Sequence, residues 1–258
     1  MTTAQHAGSL AGRRGLTLGD YLIPSSLATR APAWARDVAL IAGAVVLLIL
    51  GARIAFELPA VSLGRFYVPD NPFVPITLQT FGVLFTSAAL GARRAISATS
   101  ISLLIGAAGL PVFAFEGSGT ATFASLESGR VVLGATGGYL VGFLFASAAV
   151  GKLAEHGWDR HLGGSVGAML MGTLTIYAFG LAWLALALDS SVADVLPFGL
   201  FPFLPGDVLK LLLAAGLLPL GWRLAGRRAS GAVSYTHLTL PTTGSWWRSR
   251  WARERINK

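Results

Sequence analysis

The sequence contains no cysteine and few charged residues, which make up only 12% of its 258 positions. Without cysteine, a disulfide scaffold, a thiolate metal site and a cysteine nucleophile are all excluded. Soluble domains carry about 25% charged residues, so the composition also excludes an ordinary soluble globule. The four histidines lie outside the long apolar stretches, which argues against an intramembrane haem or histidine metal site. We therefore expect no metal and no cofactor.

Sequence motifs of nucleotide binding and hydrolysis are also missing. The chain has no G-x-x-x-x-G-K-[ST] loop with which to hold ATP, and it has neither G-x-S-x-G nor H-E-x-x-H. No pair of acidic residues falls in the middle of an apolar stretch, where a proton relay would need it. We therefore expect no enzymatic activity, and a membrane enzyme with an outward-facing site is a poorly supported alternative.

Apolar residues are abundant instead: 53% of the chain is hydrophobic, and the mean hydropathy is +0.64. These residues group into six stretches that lack the period-2 alternation of a membrane barrel. Most have about the 20 residues that a membrane-spanning helix needs, and the short second and third predict a helical hairpin turning at Gly91. We predict an all-α integral membrane protein with six transmembrane helices, at residues 38–58, 76–91, 94–110, 134–154, 164–188 and 205–223.

The positive charge of the chain lies at its two ends. Residues 38–222 carry a net charge of −1, whereas the two ends together carry +9. Such terminal charge predicts contact with the lipid bilayer and no nucleic-acid binding. Lysine and arginine also concentrate in every second connection between the stretches, as at Arg93, Arg94, Lys152 and Arg160. By the positive-inside rule, both termini and the even-numbered connections are predicted to be cytoplasmic.

Three segments follow from these patterns. Residues 1–37 lack the apolar core of a signal peptide and are predicted to be a cytoplasmic N-terminal extension. Residues 38–224 are predicted to form a six-helix transmembrane substrate-binding domain. Residues 225–258 form a basic C-terminal tail, and their run 234–241 resembles translated adapter sequence. The alternative is an amphipathic segment at the membrane interface. We favour a non-native tail and assign it no function.

Polar residues beside the apolar stretches are the candidates for a binding site, because polar groups at membrane depth are costly and usually functional. Asp207 and Lys210 lie three residues apart in P-G-D-V-L-K, so a helix places them on one face. The alternative is an ion pair at a helix start, where an acidic residue suits the helix dipole. Thr77 and Gln79 follow two prolines at the start of the second stretch. They serve either a ligand or the backbone of the helix entry.

Small residues repeat every four positions at Gly134, Gly138 and Gly142 in the fourth stretch. A stripe of this kind lets a second helix approach closely, so it predicts helix packing. Tyr139 lies near the predicted outer end of the same stretch. It belongs either to an aromatic belt at the membrane interface or to the lining of a pocket.

Four motifs occur in a fixed order: V-P-I-T-L-Q-T at 74–80, G-L-P-V-F at 109–113, T-G-G-Y at 136–139 and P-G-D-x-x-K at 205–210. Together they resemble the BioY family, the biotin-specific S components of energy-coupling-factor (ECF) vitamin transporters. The resemblance implies a six-helix S-component fold in the bacterial inner membrane, with biotin bound near the outer face. It also implies docking to an ECF transmembrane coupling protein and ATPase subunits, which are separate chains.

The resemblance leaves two questions open. Some members of the family act without these partners, so a homo-oligomer is the alternative assembly. An S component for another small vitamin is the alternative substrate class. The sequence also departs from the family pattern, because Ala135 stands where proline usually precedes T-G-G and because the stretch 60–71 is longer than expected.

Under this resemblance, the chemistry of biotin gives each candidate residue a role. The ureido ring needs hydrogen-bond donors and acceptors, which Asp207, Gln79 and Thr77 offer. The carboxylate needs a cation, either Lys210 or Arg130, and aromatic residues wall the remainder of a mostly apolar site. The predicted substrate-binding residues are Asp207, Lys210, Tyr139, Gln79, Thr77, Phe73, Phe113 and Arg130.

Small residues also mark the first stretch, at Ala39, Gly43, Gly51 and Ala55. Because small residues allow close contact between helices, we predict that this face docks the coupling protein. Packing of the same residues within the chain is the alternative.

Overall fold

Helices dominate the computed structural model, which describes residues 17–22, 31–56, 61–63, 66–68, 76–114, 118–127 and 130–231. Every apolar stretch predicted from the sequence overlaps one of the helices in the described part of the chain. In chain order these helices are α1 Leu18–Leu22, α2 Ala33–Arg53, α3 Gln79–Leu90, α4 Ala92–Ala107, α5 Gly137–Glu155, α6 Leu162–Ala187, α7 Val192–Gly199 and α8 Leu204–Gly231.

Four of the described helices are long and apolar enough to cross a membrane: α2, α5, α6 and residues Leu204–Ala225 of α8. The chain is therefore a multi-pass membrane protein. Helices α3 and α4 contain 12 and 16 residues. At 1.5 Å per residue they reach only about 18 and 24 Å, short of the ~30 Å hydrocarbon core. Six complete crossings therefore remain a prediction.

The predicted hairpin between the second and third stretches is present. Gly91 separates α3 from α4 and has a φ of +79°, a backbone conformation that favours glycine. The Glu155 carboxylate of α5 accepts a hydrogen bond from the backbone N–H of Ala92, at 3.0 Å. This contact satisfies one of the free donors at the start of α4 and ties the hairpin to α5.

Helix α2, which corresponds to the first predicted stretch, begins and ends five residues earlier than the sequence predicts. Pro32 has an extended conformation (φ −63°, ψ 156°), and α2 begins directly after it. At the other end, Ala55 and Phe56 leave the helix because they form a strand, β1, which pairs antiparallel with Ile76–Thr77, here β4. The predicted boundary at residue 37 thus falls inside α2, and α8 continues beyond the predicted limit of 224.

Short strands, which the all-α prediction did not contain, lie in two connections between helices. The first predicted connection joins α2 to α3, and the third joins α4 to α5. Besides β1 and β4, the first connection holds β2 Val61–Leu63 paired with β3 Phe66–Val68. The third connection holds β5 Ala124–Glu127 paired with β6 Arg130–Leu133. All three pairings are antiparallel. The first of them fixes the start of α3, with Thr77, beside the end of α2.

The packing of α5 against α6 forms the centre of the fold. A Cβ added at Gly138 would lie 2.1 Å from the Cβ of Trp183, and one added at Gly142 would lie 3.0 Å from the Cα of Ile176. Gly138 and Gly142 therefore serve helix packing, as expected, whereas Gly134 precedes α5 and lies against the backbone of Thr122. On the outside of the bundle the large apolar side chains are exposed, as a membrane requires; examples are Leu50, Leu174 and Leu212.

Candidate functional site

A cavity of about 460 Å³ lies among α3, α5, α6 and α8. Its volume falls within the range of small-molecule sites, which is about 300–1,000 Å³. Six of the eight predicted substrate-binding residues line it: Thr77, Gln79, Phe113, Tyr139, Asp207 and Lys210. The remaining lining comes from Thr80, Phe81, Leu84, Ala114, Ser118, Ala121, Thr122, Gly134, Ala135, Thr136, Leu140, Phe143, Thr173, Ile176, Tyr177, Phe203, Leu211 and Ala214.

The charged part of the cavity lies on the first turns of α8. Asp207 and Lys210 point the same way, and the Lys210 ammonium lies 3.1 Å from Oδ1 of Asp207. The same ammonium donates a hydrogen bond to Oγ1 of Thr80 on α3, also at 3.1 Å. Both charged side chains are largely buried, with exposures of 11% and 14%. The pair compensates the cost of burying each charge, and it joins α8 to α3 across the cavity.

A tyrosine that sequence reasoning missed completes this polar cluster. Tyr177 of α6 is 8% exposed, and its hydroxyl donates a hydrogen bond to Oδ2 of Asp207. Lys210 and Tyr177 thus hold one carboxylate oxygen each. The signal in the sequence is a single phenol in the middle of the strongly apolar α6, but its partner lies 30 residues away. Only the fold brings the two together.

The start of α3 supplies neutral polar groups. Gln79 is 7% exposed and lines the cavity, yet its side-chain amide has no hydrogen-bond partner among the residues that the structure describes. Its backbone N–H donates to Oγ1 of Thr77 at 3.3 Å. The hydroxyl of Thr77 therefore serves the helix entry, whereas the amide of Gln79 is available to a ligand. Both residues line the cavity, and their contact with a ligand stays a prediction.

Aromatic rings form the apolar wall of the cavity. The ring of Tyr139 lies edge-on to that of Tyr177, with centroids 6.4 Å apart, and also borders Phe203. Its hydroxyl donates to the backbone carbonyl of Gly199, at 2.8 Å. Phe113 fits against Gly106, where an added Cβ would lie 2.2 Å from the ring. Tyr139 therefore belongs to the lining of the cavity, one of its two predicted roles.

Two predicted binding residues are not placed by the structure. Phe73 lies outside the described residues. Arg130 is the first residue of β6, but its side chain also lies outside what the structure describes. The expectation that Arg130 contacts a ligand carboxylate is therefore still a prediction. Within the described ranges, no group of three or more histidine, aspartate or glutamate side chains is arranged to hold a metal ion.

The predicted docking stripe is divided by the fold. Ala39 and Gly43 are exposed on α2, and a Cβ added at Gly43 would have nothing within 4 Å. Gly51 is buried instead, and a Cβ there would lie 3.1 Å from the backbone oxygen of Leu78. Gly51 therefore serves packing within the chain, and Ala55 belongs to β1. Only the half of the stripe at Ala39 and Gly43 is open to a partner.

Comparison with known proteins identifies the family. The sequence model of the BioY family matches residues 24–227, which is most of the chain. The chain belongs to the BioY family. Its motifs at Thr77–Gln79, Tyr139 and Asp207–Lys210 thus surround one cavity in a BioY-family chain.

Individual relatives agree with this assignment. Biotin transporter BioY of Rhizobium etli is 37% identical over 165 residues, which cover 61% of this chain and 80% of that protein. The probable biotin transporter BioY of Pyrococcus horikoshii is 34% identical over 180 residues, 70% of this chain and 92% of that protein. Biotin transporter BioY of Thermotoga maritima is 34% identical over 152 residues, 57% of this chain and 80% of that protein.

A solved structure has the same fold. The crystal structure of the S-component for biotin from an ECF-type ABC transporter matches this BioY-family chain with a TM-score of 0.55 and 22% identity. The match covers 78% of this chain and 94% of the other. The predicted S-component-like bundle is therefore confirmed as the fold.

Proposed function

We propose that this chain is the membrane substrate-capture subunit for biotin uptake and that biotin binds in the cavity among α3, α5, α6 and α8. The main support for the proposal is that one cavity with aromatic walls is lined by four polar residues: Asp207, Lys210, Thr80 and Gln79. Relatives with 34–37% identity that are named biotin transporters support biotin as the substrate.

The polar groups of the cavity suit a ureido ring. The Asp207 carboxylate accepts hydrogen bonds from ring N–H groups, while the Gln79 amide and the Lys210 ammonium donate to an oxygen. The thiophane ring and the valeryl chain of biotin then lie against Tyr139 and Phe113. Because Asp207 and Lys210 already neutralise each other, the cavity accommodates the uncharged end of a ligand without stranding a buried charge.

The same proposal places the cavity toward the outside of the cell. Six crossings of the bacterial inner membrane with both termini in the cytoplasm put the start of α8, and with it Asp207, on the outer side. A scavenged vitamin arrives from that side. The alternation of lysine and arginine between successive connections supports this orientation.

Inward delivery of biotin requires partner chains. The sequence has no nucleotide-binding loop of its own, so ATP acts through ATPase subunits joined by an ECF transmembrane coupling protein. The exposed pair Ala39 and Gly43 on α2 is the proposed contact for that protein, because nothing in the described chain covers it. Small residues at this spacing permit close helix contact.

Equilibrium binding on the purified protein in detergent tests the proposal. Radiolabelled biotin is added together with an excess of one unlabelled competitor at a time: biotin, desthiobiotin, thiamine, riboflavin, niacin or pantothenate. We expect only biotin and desthiobiotin to displace the label. If labelled biotin does not bind, each other vitamin is tested directly in labelled form, and tight binding of one of them would make the chain an S component for that vitamin. Absence of binding to every vitamin by a folded protein would refute the capture function.

A further inference from the structure

Tyr177 occupies a place in the site that none of the sequence motifs contains. It lies in the middle of α6, is buried, and donates the hydrogen bond to Oδ2 of Asp207. Lys210 holds Oδ1 of the same carboxylate and also contacts Thr80. The carboxylate is therefore fixed by two helices at once, its own helix α8 and α6.

The second contact changes what the carboxylate offers to a ligand. With Lys210 as its one partner, the carboxylate could rotate about its Cβ–Cγ bond without losing a second contact. The hydroxyl of Tyr177 opposes this rotation because it engages Oδ2 separately. Each carboxylate oxygen has about two acceptor positions, so one position on each oxygen stays open on a side chain that lines the cavity. We propose that Tyr177 is a positioning residue, which holds Asp207 ready to accept hydrogen bonds from the ligand; the proposal rests on the proposed biotin site.

The surroundings of Tyr177 keep its ring in place. Tyr139 packs edge-on against the ring, at an interplanar angle of 86°. One turn along α6, Gly180 makes room for Tyr139, since a Cβ there would lie 2.4 Å from its Cδ1. Tyr139 is itself tethered by its hydroxyl to Gly199. Packing thus fixes the orientation of the Tyr177 ring, and its hydroxyl donates the hydrogen bond to Asp207.

Replacement of this hydroxyl tests the proposal. Tyr177→Phe keeps the ring and its contact with Tyr139. Hydrogen bonds to charged groups imply a loss of about ten- to a hundredfold in biotin affinity, measured by equilibrium binding on purified protein. The matched control is Thr175→Val, which removes a hydroxyl from the same helix whose bond to the Met171 carbonyl is exposed and away from the cavity. We expect the control to bind biotin as the unmodified protein does.

A double-mutant cycle separates positioning from general support of the fold. In the Asp207→Asn background, Tyr177→Phe is expected to cost less than about twofold, because the carboxylate that it positions is gone. Replacement of Tyr177 by 3-fluorotyrosine keeps both ring and hydroxyl, and affinity should equal or exceed that of the unmodified protein. This second variant keeps the test informative even when the phenylalanine variant fails to fold.

Several results would overturn the inference. An unchanged affinity in folded Tyr177→Phe would show that the hydroxyl does not position Asp207, although biotin capture itself would stand. If Tyr177→Phe lowers biotin affinity equally with Asp207 and with Asn at position 207, Tyr177 has a packing role alone. Weaker biotin binding by the 3-fluorotyrosine protein would lead to the same conclusion. Failure of the unmodified protein to bind biotin would instead refute the proposed function.

Discussion

The Lys210 ammonium has two oxygen partners, one on its own helix and one on α3. Both contacts are 3.1 Å long, and they balance a charge that is largely buried. A third N–H of the ammonium is left for a ligand, since the described residues supply no further partner. Lys210 therefore joins the two sides of the cavity and also offers a donor to it.

Replacement of Lys210 by methionine should weaken biotin binding by about tenfold or more, because a charged donor is lost and Asp207 loses its counter-ion. Equilibrium binding checks this expectation, with Lys152→Met as the control, since Lys152 is 67% exposed and does not line the cavity. If Lys210→Met lowers the affinity for a biotin analogue without a carboxylate by less than it lowers the affinity for biotin, Lys210 contacts the carboxylate of biotin. Unchanged affinity in a folded Lys210→Met protein would contradict its role as a ligand contact.

The sequence predicts contacts between residues close together on one helix, but not contacts between residues on different helices. The spacing of Asp207 and Lys210 predicts their shared face, and the structure confirms their pairing. The Tyr177–Asp207 bond joins positions 30 residues apart on different helices. Helical periodicity contains no information about which helices become neighbours. The same limit explains why Gly51 was predicted as a docking residue although it packs against the start of α3.

Among the helices, the five-residue α1 makes more contacts than its length suggests. Leu18 is buried against Gly221 of α8, and the ring of Tyr21 lies edge-on to Trp222 at 5.4 Å. Asp20 forms a salt bridge with Arg94 of α4, with an oxygen–nitrogen distance of 2.8 Å. The segment thus joins α4 to α8, so residues 17–22 pack with the membrane domain rather than apart from it.

The pKa of Asp20 gives this contact a pH dependence. Burial alone would raise the pKa of this carboxyl, but hydrogen bonds from Arg94 and Thr17 outweigh burial and hold the pKa below its usual value. A lowered pKa in the folded state means that the ionised carboxylate stabilises the fold. That contribution is complete above the unfolded-state pKa of about 4. It is lost as the pH falls through the folded-state pKa.

Substitution of Asp20 by asparagine should therefore destabilise the protein by about 1 kcal/mol at pH 7. Thermal unfolding in detergent checks this, and the difference from the unmodified protein should stay constant down to about pH 5 and shrink below pH 4. In an Arg94→Met background the same substitution should cost much less, because the salt-bridge partner is absent. A difference that does not vary with pH would show that the Asp20 charge contributes nothing.

Ala39 and Gly43 form an exposed face on α2. Gly43→Leu should weaken copurification of the coupling protein, because a larger side chain prevents close helix contact. Biotin binding should be retained, because no described residue lies within 4 Å of a Cβ added at Gly43. Gly216→Leu is the matched control, since Gly216 has the same open surroundings on α8. Equal copurification with both variants would exclude this face as the docking site, and misfolding of Gly43→Leu would assign it to internal packing.

Helices were predictable from the sequence where apolar runs are long, but their ends and the connections were not. Each predicted stretch overlaps a helix, because burial in lipid requires a continuous apolar run. The end of α2 was misplaced because hydropathy does not distinguish the apolar residues Ala55 and Phe56 in a helix from the same residues in a strand. The hairpin of β5 and β6 was missed for a similar reason, since a four-residue strand contains too little alternation to be recognised.

For the whole molecule, the distribution of charge predicts the orientation in the membrane. The lack of native cysteine makes this testable with single introduced cysteines. Gly163 and Ser190 are both exposed. Gly163 lies in the first turn of α6, at its predicted cytoplasmic end, and Ser190 follows the predicted outer end of the same helix. In intact cells, an impermeant maleimide should label Ser190→Cys but should label Gly163→Cys only after permeabilisation. The reverse pattern would invert the topology and place the cavity entrance on the cytoplasmic side.

In the proposed complex, the Asp207 carboxylate accepts hydrogen bonds from biotin in the cavity. The decisive measurement is calorimetric titration of biotin into the purified protein, side by side with its Asp207→Asn variant. The variant keeps the shape of the side chain but loses its charge and exchanges an acceptor for a donor. We expect saturable binding to the unmodified protein and an affinity lower by about one to two orders of magnitude in the variant. Equal biotin affinity in the two folded proteins would show that Asp207 does not bind biotin.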